Sequence, residues 1–305
     1  MNSPADPSNA ARDSVDADTN ADQAAQTSSL TISESGALIE SDPTRLWTAE
    51  YVEKMHALMG ASVCRSLAIY NLPTGFVLSV IVPVFNESGT IEGVVDRLRQ
   101  TGMPMQVILV DDGSIDGTAE AMERIAQQSN VIVCKHQRNR GKGAAIRTAI
   151  ASATGDVLVI QDADREYDPS DFRYLLQPIL AAEADVSYGT RYGHCDRQLS
   201  PWWHQAVNGL VSTLASLGIG IRLSDVETCY KMARTEHWKA IMDDLKEDRF
   251  GIEIELTARW VRKGLRFTER PIRYQHRWYD EGKKIGWKDG VSALWCILKY
   301  GVFRR

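Results

Sequence analysis

Three groups of carboxylates follow three short apolar runs. Asn86-Glu87 comes after Leu78-Ser79-Val80-Ile81-Val82-Pro83, Asp111-Asp112 with Asp116 after Val107-Ile108-Leu109-Val110, and Asp162-Ala163-Asp164 after Val157-Leu158-Val159-Ile160. Carboxylates gathered in one crevice repel one another unless something compensates. The simplest compensation is a divalent cation bridging to substrate phosphates, the way oxygen-liganded Mg2+ or Mn2+ is held. One aspartate after a strand serves equally well as a turn residue or a helix cap. Three such groups in succession point instead to a shared site. Asn86-Glu87-Ser88 also fits a glycosylation acceptor, a tripeptide that arises easily by chance.

Other phosphate and hydrolytic chemistries leave marks that are missing here. Arg138-Asn139-Arg140-Gly141-Lys142-Gly143 lacks the G-x-x-x-x-G-K-[ST] spacing of a phosphate loop, and Ile146 stands where a G-x-G-x-x-G would need its last glycine. Neither G-x-S-x-G nor H-E-x-x-H occurs. Gly141 and Gly143, at an expected helix start, are read as presenting backbone N–H groups to an anion.

The elements that must position these residues follow from periodicity. The apolar runs are short and β-branched, and helical patterns separate them, so they read as buried strands. Helices are expected over residues 90–99, 118–127, 142–153 and 172–182, and further strands at 131–133 and 186–188. Strict alternation of strand and helix implies a mainly parallel sheet covered on both faces, with ligands beyond the carboxyl ends of the strands. The carboxylate groups fall at those ends. Before this domain, Leu46, Trp47, Tyr51, Met55 and Leu58 recur at helical spacing behind Ser41-Asp42-Pro43-Thr44. They predict one amphipathic helix, packed on the domain or bound to a membrane or partner.

At 305 residues, 44% hydrophobic and 25% charged, the chain can form one large domain or two modest ones. No apolar run reaches the roughly 18–20 residues of a membrane span; residues 206–221 come nearest but contain Asn208, Gly209, Ser212, Thr213 and Ser216. The N-terminus lacks the basic start and apolar stretch of a signal peptide. Five scattered cysteines (Cys64, Cys134, Cys195, Cys229, Cys296) form no C-x-x-C. A disulfide framework and structural zinc are therefore disfavoured, and a reducing, cytoplasmic setting is expected.

Charge is unevenly spread. Residues 1–44 hold eight acids and one base, and residues 1 to about 40 have too few large apolar groups to offset ordering entropy. Residues 259–305 hold 13 bases and 4 acids, a net of +9. Such a module suits phosphates, anionic lipid or nucleic acid.

Val82-Pro83-Val84-Phe85-Asn86-Glu87, Val110-Asp111-Asp112-Gly113-Ser114 with Asp116, the 139–145 segment, Asp162-Ala163-Asp164 and Gly189-Thr190-Arg191 together resemble family 2 glycosyltransferases. Within that family the chain is most similar to the dolichol-phosphate mannosyltransferase-like branch, over about residues 77–285. The resemblance implies an α/β GT-A fold, a nucleotide-sugar donor of the GDP-mannose or UDP-glucose type, Mg2+ or Mn2+, and inversion at the anomeric carbon. It implies that Pro83 and Glu87 line the nucleotide pocket and Asp112 contacts the base. Asp162 and Asp164 would hold the metal and diphosphate, with Lys142 and Arg191 near the phosphates. Asp225-Val226-Glu227-Thr228-Cys229-Tyr230 resembles the family's acceptor loop, with Cys229 where glycine is usual, and residues 250–255 resemble the helix after it. Arg277 and Glu281-Gly282-Lys283-Lys284 resemble a basic segment that closes on donor phosphates. The implied organisation is an acidic tail (1–43), a helical extension (44–76), the GT-A domain (77–285) and a basic amphipathic C-terminal helix (286–305).

Two acceptors fit. A polyprenyl or dolichyl phosphate at the cytoplasmic membrane face is already ionised, so Arg277, Lys283 and Lys284 need only orient it. Trp202-Trp203, residues 206–221 and the last helix, with Val291, Leu294, Trp295, Leu298 and Val302, would make a peripheral contact. A core helix with cations at its C-terminus explains the last pattern too. A hydroxyl acceptor instead needs a general base, for which Asp225 is the candidate and Glu227 the reserve. A nucleotide-binding scaffold without turnover is opposed by the intact carboxylate groups. Nucleic-acid binding is not expected, because no reader motif accompanies the basic end.

Overall fold

The computed structural model describes residues 30–32, 38–40, 48–127, 130–192, 202–276, 292 and 294–303. Within the acidic tail, β1 (Leu30–Ile32) and β2 (Leu38–Glu40) pair antiparallel, with Leu30 opposite Glu40. These six residues depart from the structureless reading, and they are where the tail's leucines and isoleucines concentrate. The single helix expected after residue 44 is two: α1 (Ala49–Met59), capped by Thr48, and α2 (Ala61–Ser66). Gly60 between them has φ +79°, outside the helical region.

The strands and helices then alternate as the pattern requires. They are β3 (Leu78–Val84), α3 (Ile91–Gln100), β4 (Met105–Asp111), α4 (Thr118–Ala126), β5 (Val131–Lys135), α5 (Lys142–Ser152) and β6 (Val157–Ile160). After α6 (Phe172–Leu180) and β7 (Val186–Thr190) come α7 (Trp202–Ile219), β8 (Lys231–Arg234), α8 (Thr235–Lys239), α9 (Ile252–Arg262) and β9 (Phe267–Pro271). A π-helical turn covers Ile297–Val302 and packs on α7.

The seven-stranded sheet has the order β5-β4-β3-β6-β8-β7-β9. From β5 to β6 it is parallel; β8 runs antiparallel to both neighbours, so the sheet is mixed and not strictly parallel. β8 escaped the sequence reading because Lys-Met-Ala-Arg is no apolar run, yet Lys231 is fully buried. The chain winds outward from β3 to β5, then returns through α5 to place β6 on the other side of β3. That reversal is a topological switch point, where the loops after β3 and β6 diverge and leave a crevice. Central strands such as β6 are buried throughout, which is why they read as continuous apolar runs.

Candidate active site

The loops after β3 and β4 are laced together. Asn86, at φ +52°, accepts from the Ile115 N–H through Oδ1 at 2.9 Å, and its own N–H donates to Ser114 Oγ at 2.9 Å. The Glu87 N–H donates to Thr118 Oγ1 at 2.9 Å, and Thr90 Oγ1 donates to Glu87 Oε2 at 2.6 Å. Asp116 accepts from the Ser88 hydroxyl at 3.0 Å and from the Thr118 N–H at 3.2 Å. Asn86, Ser114, Asp116 and Thr118 each satisfy a backbone N–H of the other loop, which is why short polar side chains gather here. Pro83 lies within β3, in register with Val110.

Asp112 is 3% exposed and serves the protein itself. Its Oδ1 is 2.6 Å from His136 Nδ1 and accepts from the Arg140 N–H at 2.9 Å; Oδ2 accepts from the Gly141 N–H at 2.6 Å. It therefore fastens the loop before α5. The expected anion site at Gly141 and Gly143 is not there. The Gly143 and Ala144 N–H groups both donate to the Asp248 carbonyl, at 2.7 and 3.2 Å. The glycines are needed for that approach: Gly141 has φ +100°, and a Cβ at either position would collide with the Asp248 or Glu247 carbonyl.

Carboxylates converge at the switch point. Burial, with the charges of Asp162, Glu166 and Glu87 beside it, pushes the Asp164 carboxyl up to about 8. Asp162 is held differently, with Oδ1 2.7 Å from Lys142 Nζ. Lys142 also reaches Glu253 at 2.9 Å, and Glu253 reaches Lys231 at 3.0 Å. The result is a buried chain of alternating charge, Asp162–Lys142–Glu253–Lys231, running from β6 through α5 and α9 to β8. The two carboxylates hold the Lys142 ammonium well above its usual range despite burial. Lys231 also donates to the Val226 and Thr228 carbonyls at 2.7 and 2.5 Å, which fixes the loop before it. Cys229 is buried beside Asp162, its thiol pushed up by burial and kept neutral, and its N–H donates to Tyr167 Oη at 3.2 Å. Its backbone is not left-handed, so cysteine replaces the family's glycine without strain.

A divalent metal fits this place by the chemistry of the donors. Asp162 and Asp164 offer hard oxygens, and the burial and neighbouring negative charge that raise the Asp164 carboxyl are what a dication would offset. Among the described residues no set of three or more side chains is arranged as a complete metal cage. Two carboxylates with phosphate oxygens and water filling the other positions is the usual magnesium arrangement.

The loop before β8, read above as resembling the acceptor loop, is anchored by Arg191, just after β7. Arg191 Nε and Nη2 donate to Asp225 Oδ2 and Oδ1, both at 2.7 Å, and its N–H donates to Oδ2 at 3.0 Å. Asp225 is fully buried under this fork, while Glu269 accepts from the Ser224 and Asp225 N–H groups at 2.9 and 3.1 Å. Glu227 is half-buried, and burial raises its carboxyl above the usual range.

Pro83, Glu87, Asp112, Asp162 and Asp164 thus lie on the strands and loops, and Lys142 at the helix start, around the switch point, while Arg191 and Asp225 pair between the end of β7 and the loop before β8. Arg277, Lys283 and Lys284 lie outside the described residues. Sequence reasoning passed over Lys231, His136 and Glu269, and took Glu253 only as part of the 250–255 segment. Only Glu253 gave a signal: an acid between Ile252 and Ile254, on a face that proves fully buried.

Residues 79–244 match glycosyl transferase family 2, more than half of the chain, and the protein belongs to that family. It is a glycosyltransferase. It is similar to the undecaprenyl-phosphate mannosyltransferase of Micrococcus luteus, 28% identical over 231 residues, 74% of this chain and 94% of that one. It is likewise similar to the polyprenol monophosphomannose synthase of Mycolicibacterium smegmatis, 27% identical over 231 residues, 73% of this chain and 86% of that one. Among solved structures, glucosyl-3-phosphoglycerate synthase from Mycobacterium tuberculosis, in complex with Mn2+, UDP and phosphoglyceric acid, superposes with a TM-score of 0.57. It is 22% identical, with 84% of each chain covered, which establishes the GT-A fold.

Proposed function

We propose that this glycosyltransferase moves a hexose from a nucleotide sugar, with inversion and with a divalent metal, to a polyprenyl phosphate at the cytoplasmic face of a membrane. The observation that carries the donor half is the placement of Asp162 and Asp164 just beyond the end of β6 at the switch point, with Asp162 held 2.7 Å from Lys142. Asp162 and Asp164 would hold the metal. When bound, it neutralises charge that develops on the departing nucleoside diphosphate. Lys142 orients Asp162 through their 2.7 Å contact. Glu87 and Pro83 would line the nucleotide pocket, and Asp112 would act on the base side by holding the loop at 140–141 in shape. A phosphate oxygen of the acceptor forms the new bond to the anomeric carbon on the face opposite the diphosphate. The old carbon–oxygen bond breaks, and its electron pair leaves on the nucleotide. No proton need be removed from an ionised phosphate, and Arg191, Arg277, Lys283 and Lys284 would orient the anions.

The lipid acceptor is supported by the substrates named for the two bacterial relatives and by an apolar surface. Leu210, Leu214 and Leu217 recur at helical spacing on α7 and are exposed. Trp295, Leu298 and Phe303, in and beside the turn packed on α7, are exposed too. Thirteen bases against four acids in residues 259–305 complement an anionic lipid surface. Among the described residues no helix is long and apolar enough to cross a membrane, so the contact would be peripheral.

A hydroxyl acceptor is the second reading, and the geometry alters its base. Asp225 is fully buried with both oxygens held by Arg191, whereas Glu227 is half-buried and raised. Glu227 is then the residue that accepts the proton, and Asp225 positions Arg191.

The test is nucleotide release with Mg2+ or Mn2+ from GDP-mannose, UDP-glucose and UDP-N-acetylglucosamine, with and without a short polyprenyl phosphate. Release stimulated by the lipid phosphate and lost in Asp164→Ala is the expected result. Donor binding without lipid stimulation, together with dependence on Glu227, would favour the hydroxyl acceptor.

A further inference from the structure

A cavity of about 560 Å3 lies between the helical extension and α6, away from the switch point. One wall is His56, Arg65, Tyr70 and Asn71, all of them before the region that matches the family. The opposite wall is α6, with Tyr174, and Arg270 of β9 closes it. Arg270 is the informative residue. Its guanidinium lies over the Tyr174 ring at 5.0 Å from the centroid. Its Nε is buried and makes no hydrogen bond, and no carboxylate among the described residues pairs with it. A buried guanidinium N–H without an acceptor is costly, and the planar fork of arginine matches an oxyanion. Arg65 is held only loosely: Glu183, its acidic partner among the described residues, is 3.7 Å away and largely solvated.

We propose that this cavity binds a small phosphorylated molecule, its phosphate received by Arg270 and Arg65 and its body lying between Tyr70 and Tyr174. The site is separate from the donor crevice. Glu269 and Arg270 are consecutive on β9 and so leave the strand on opposite faces. Glu269 holds the Ser224–Asp225 loop on one side, and Arg270 faces the cavity on the other. The proposal does not depend on which acceptor the enzyme uses.

The full chain is titrated with inorganic phosphate and, separately, with glucose 6-phosphate, followed by 31P line broadening. Saturable broadening is expected with at least one probe, retained in Asp164→Ala and therefore not arising at the donor site. Losing a charge-assisted hydrogen bond worth about 1.5–3 kcal/mol corresponds to roughly ten-fold or weaker binding in Arg270→Gln. Arg65→Gln, at an exposed residue whose side chain makes only the 3.7 Å contact with Glu183 among the described residues, is expected to weaken binding in the same direction. A stronger response to glucose 6-phosphate would assign the site to an organic phosphate, and an equal response to the phosphate group alone. Absence of broadening by both probes, or broadening unchanged in both arginine variants, would overturn the proposal.

Discussion

Asp164 shares the crevice after β6 with Asp162, Glu166 and Glu87, and in the metal-free protein that crowding disfavours its charged form. Asp164→Asn removes the repulsion but also a metal-binding oxygen. The variant is therefore expected to melt at or above the parent's temperature without metal, while sugar transfer falls by roughly 10²–10³-fold, the scale of losing one transition-state charge stabiliser. Calorimetry beside a turnover assay checks both halves, and a drop in melting temperature would contradict this account of the crowding. Glu253 carries the opposite expectation. It is the shared counter-ion of Lys142 and Lys231, at 2.9 and 3.0 Å, so Glu253→Gln leaves the buried Lys231 ammonium without a carboxylate and Lys142 with Asp162 alone. Breaking a buried pair costs about 3–5 kcal/mol, which urea denaturation of the variant resolves directly.

At the scale of elements, the start of α5 is held by close packing. Gly143 leaves no room for a Cβ against the Glu247 carbonyl, so Gly143→Ala must push the 247–248 segment away. Overpacking of this kind costs about 1–3 kcal/mol, read as a lower denaturation midpoint with an unchanged slope. The starts of β7 and β9 are tied differently. Arg266 Nε and Nη2 donate to Asp185 at 3.0 and 2.9 Å, and these bonds hold the Asp185 carboxyl at about 2, below its usual 3.8. Because the folded-state value is depressed, this stabilisation is complete above 3.8 and fades as pH falls toward 2. Asp185→Asn is expected to lower stability at neutral pH, where this contribution is complete, and to flatten the acid limb of the stability curve in that window.

Much of this architecture was legible in the residues. β6 was read at its observed bounds, and β3, β4, α3 and α5 within a few residues, because buried strands and amphipathic helices announce themselves by period. β8 was not, since its buried lysine is explained only by Glu253, about twenty positions later and on another element. The same limit applies to Asp112 and Asp225. Their types and places were clear, but whether a carboxylate faces substrate or an internal partner depends on residues far off in the chain, here His136 and Arg191.

On the scale of the whole molecule, the proposed membrane-facing surface draws on the exposed Leu210, Leu214 and Leu217 of α7 and on the exposed Trp295, Leu298 and Phe303, in and beside the turn packed on it. Burying a leucine is worth about 1.5–3 kcal/mol, so Leu217→Glu with Leu298→Glu is expected to reduce partition to anionic vesicles more than ten-fold in sedimentation assays. Donor hydrolysis in solution should be unaffected. Equal partition of parent and variant would remove this face from membrane contact.

The strand order also governs how the protein is made. β5, β4, β3 and β6 have one another as neighbours, so that four-stranded unit has all its internal pairings once residue 160 has emerged. β7 does not: its neighbours are β8 and β9, which follow by some forty and eighty residues. The donor half can thus assemble on the ribosome while β7 waits, an exposed edge with the Arg191 it will later offer to Asp225 still unpaired. A chain interrupted between β7 and β8 would carry an unmatched strand, and chaperones or proteases would meet the β7–β9 side of this enzyme before the β3–β6 side.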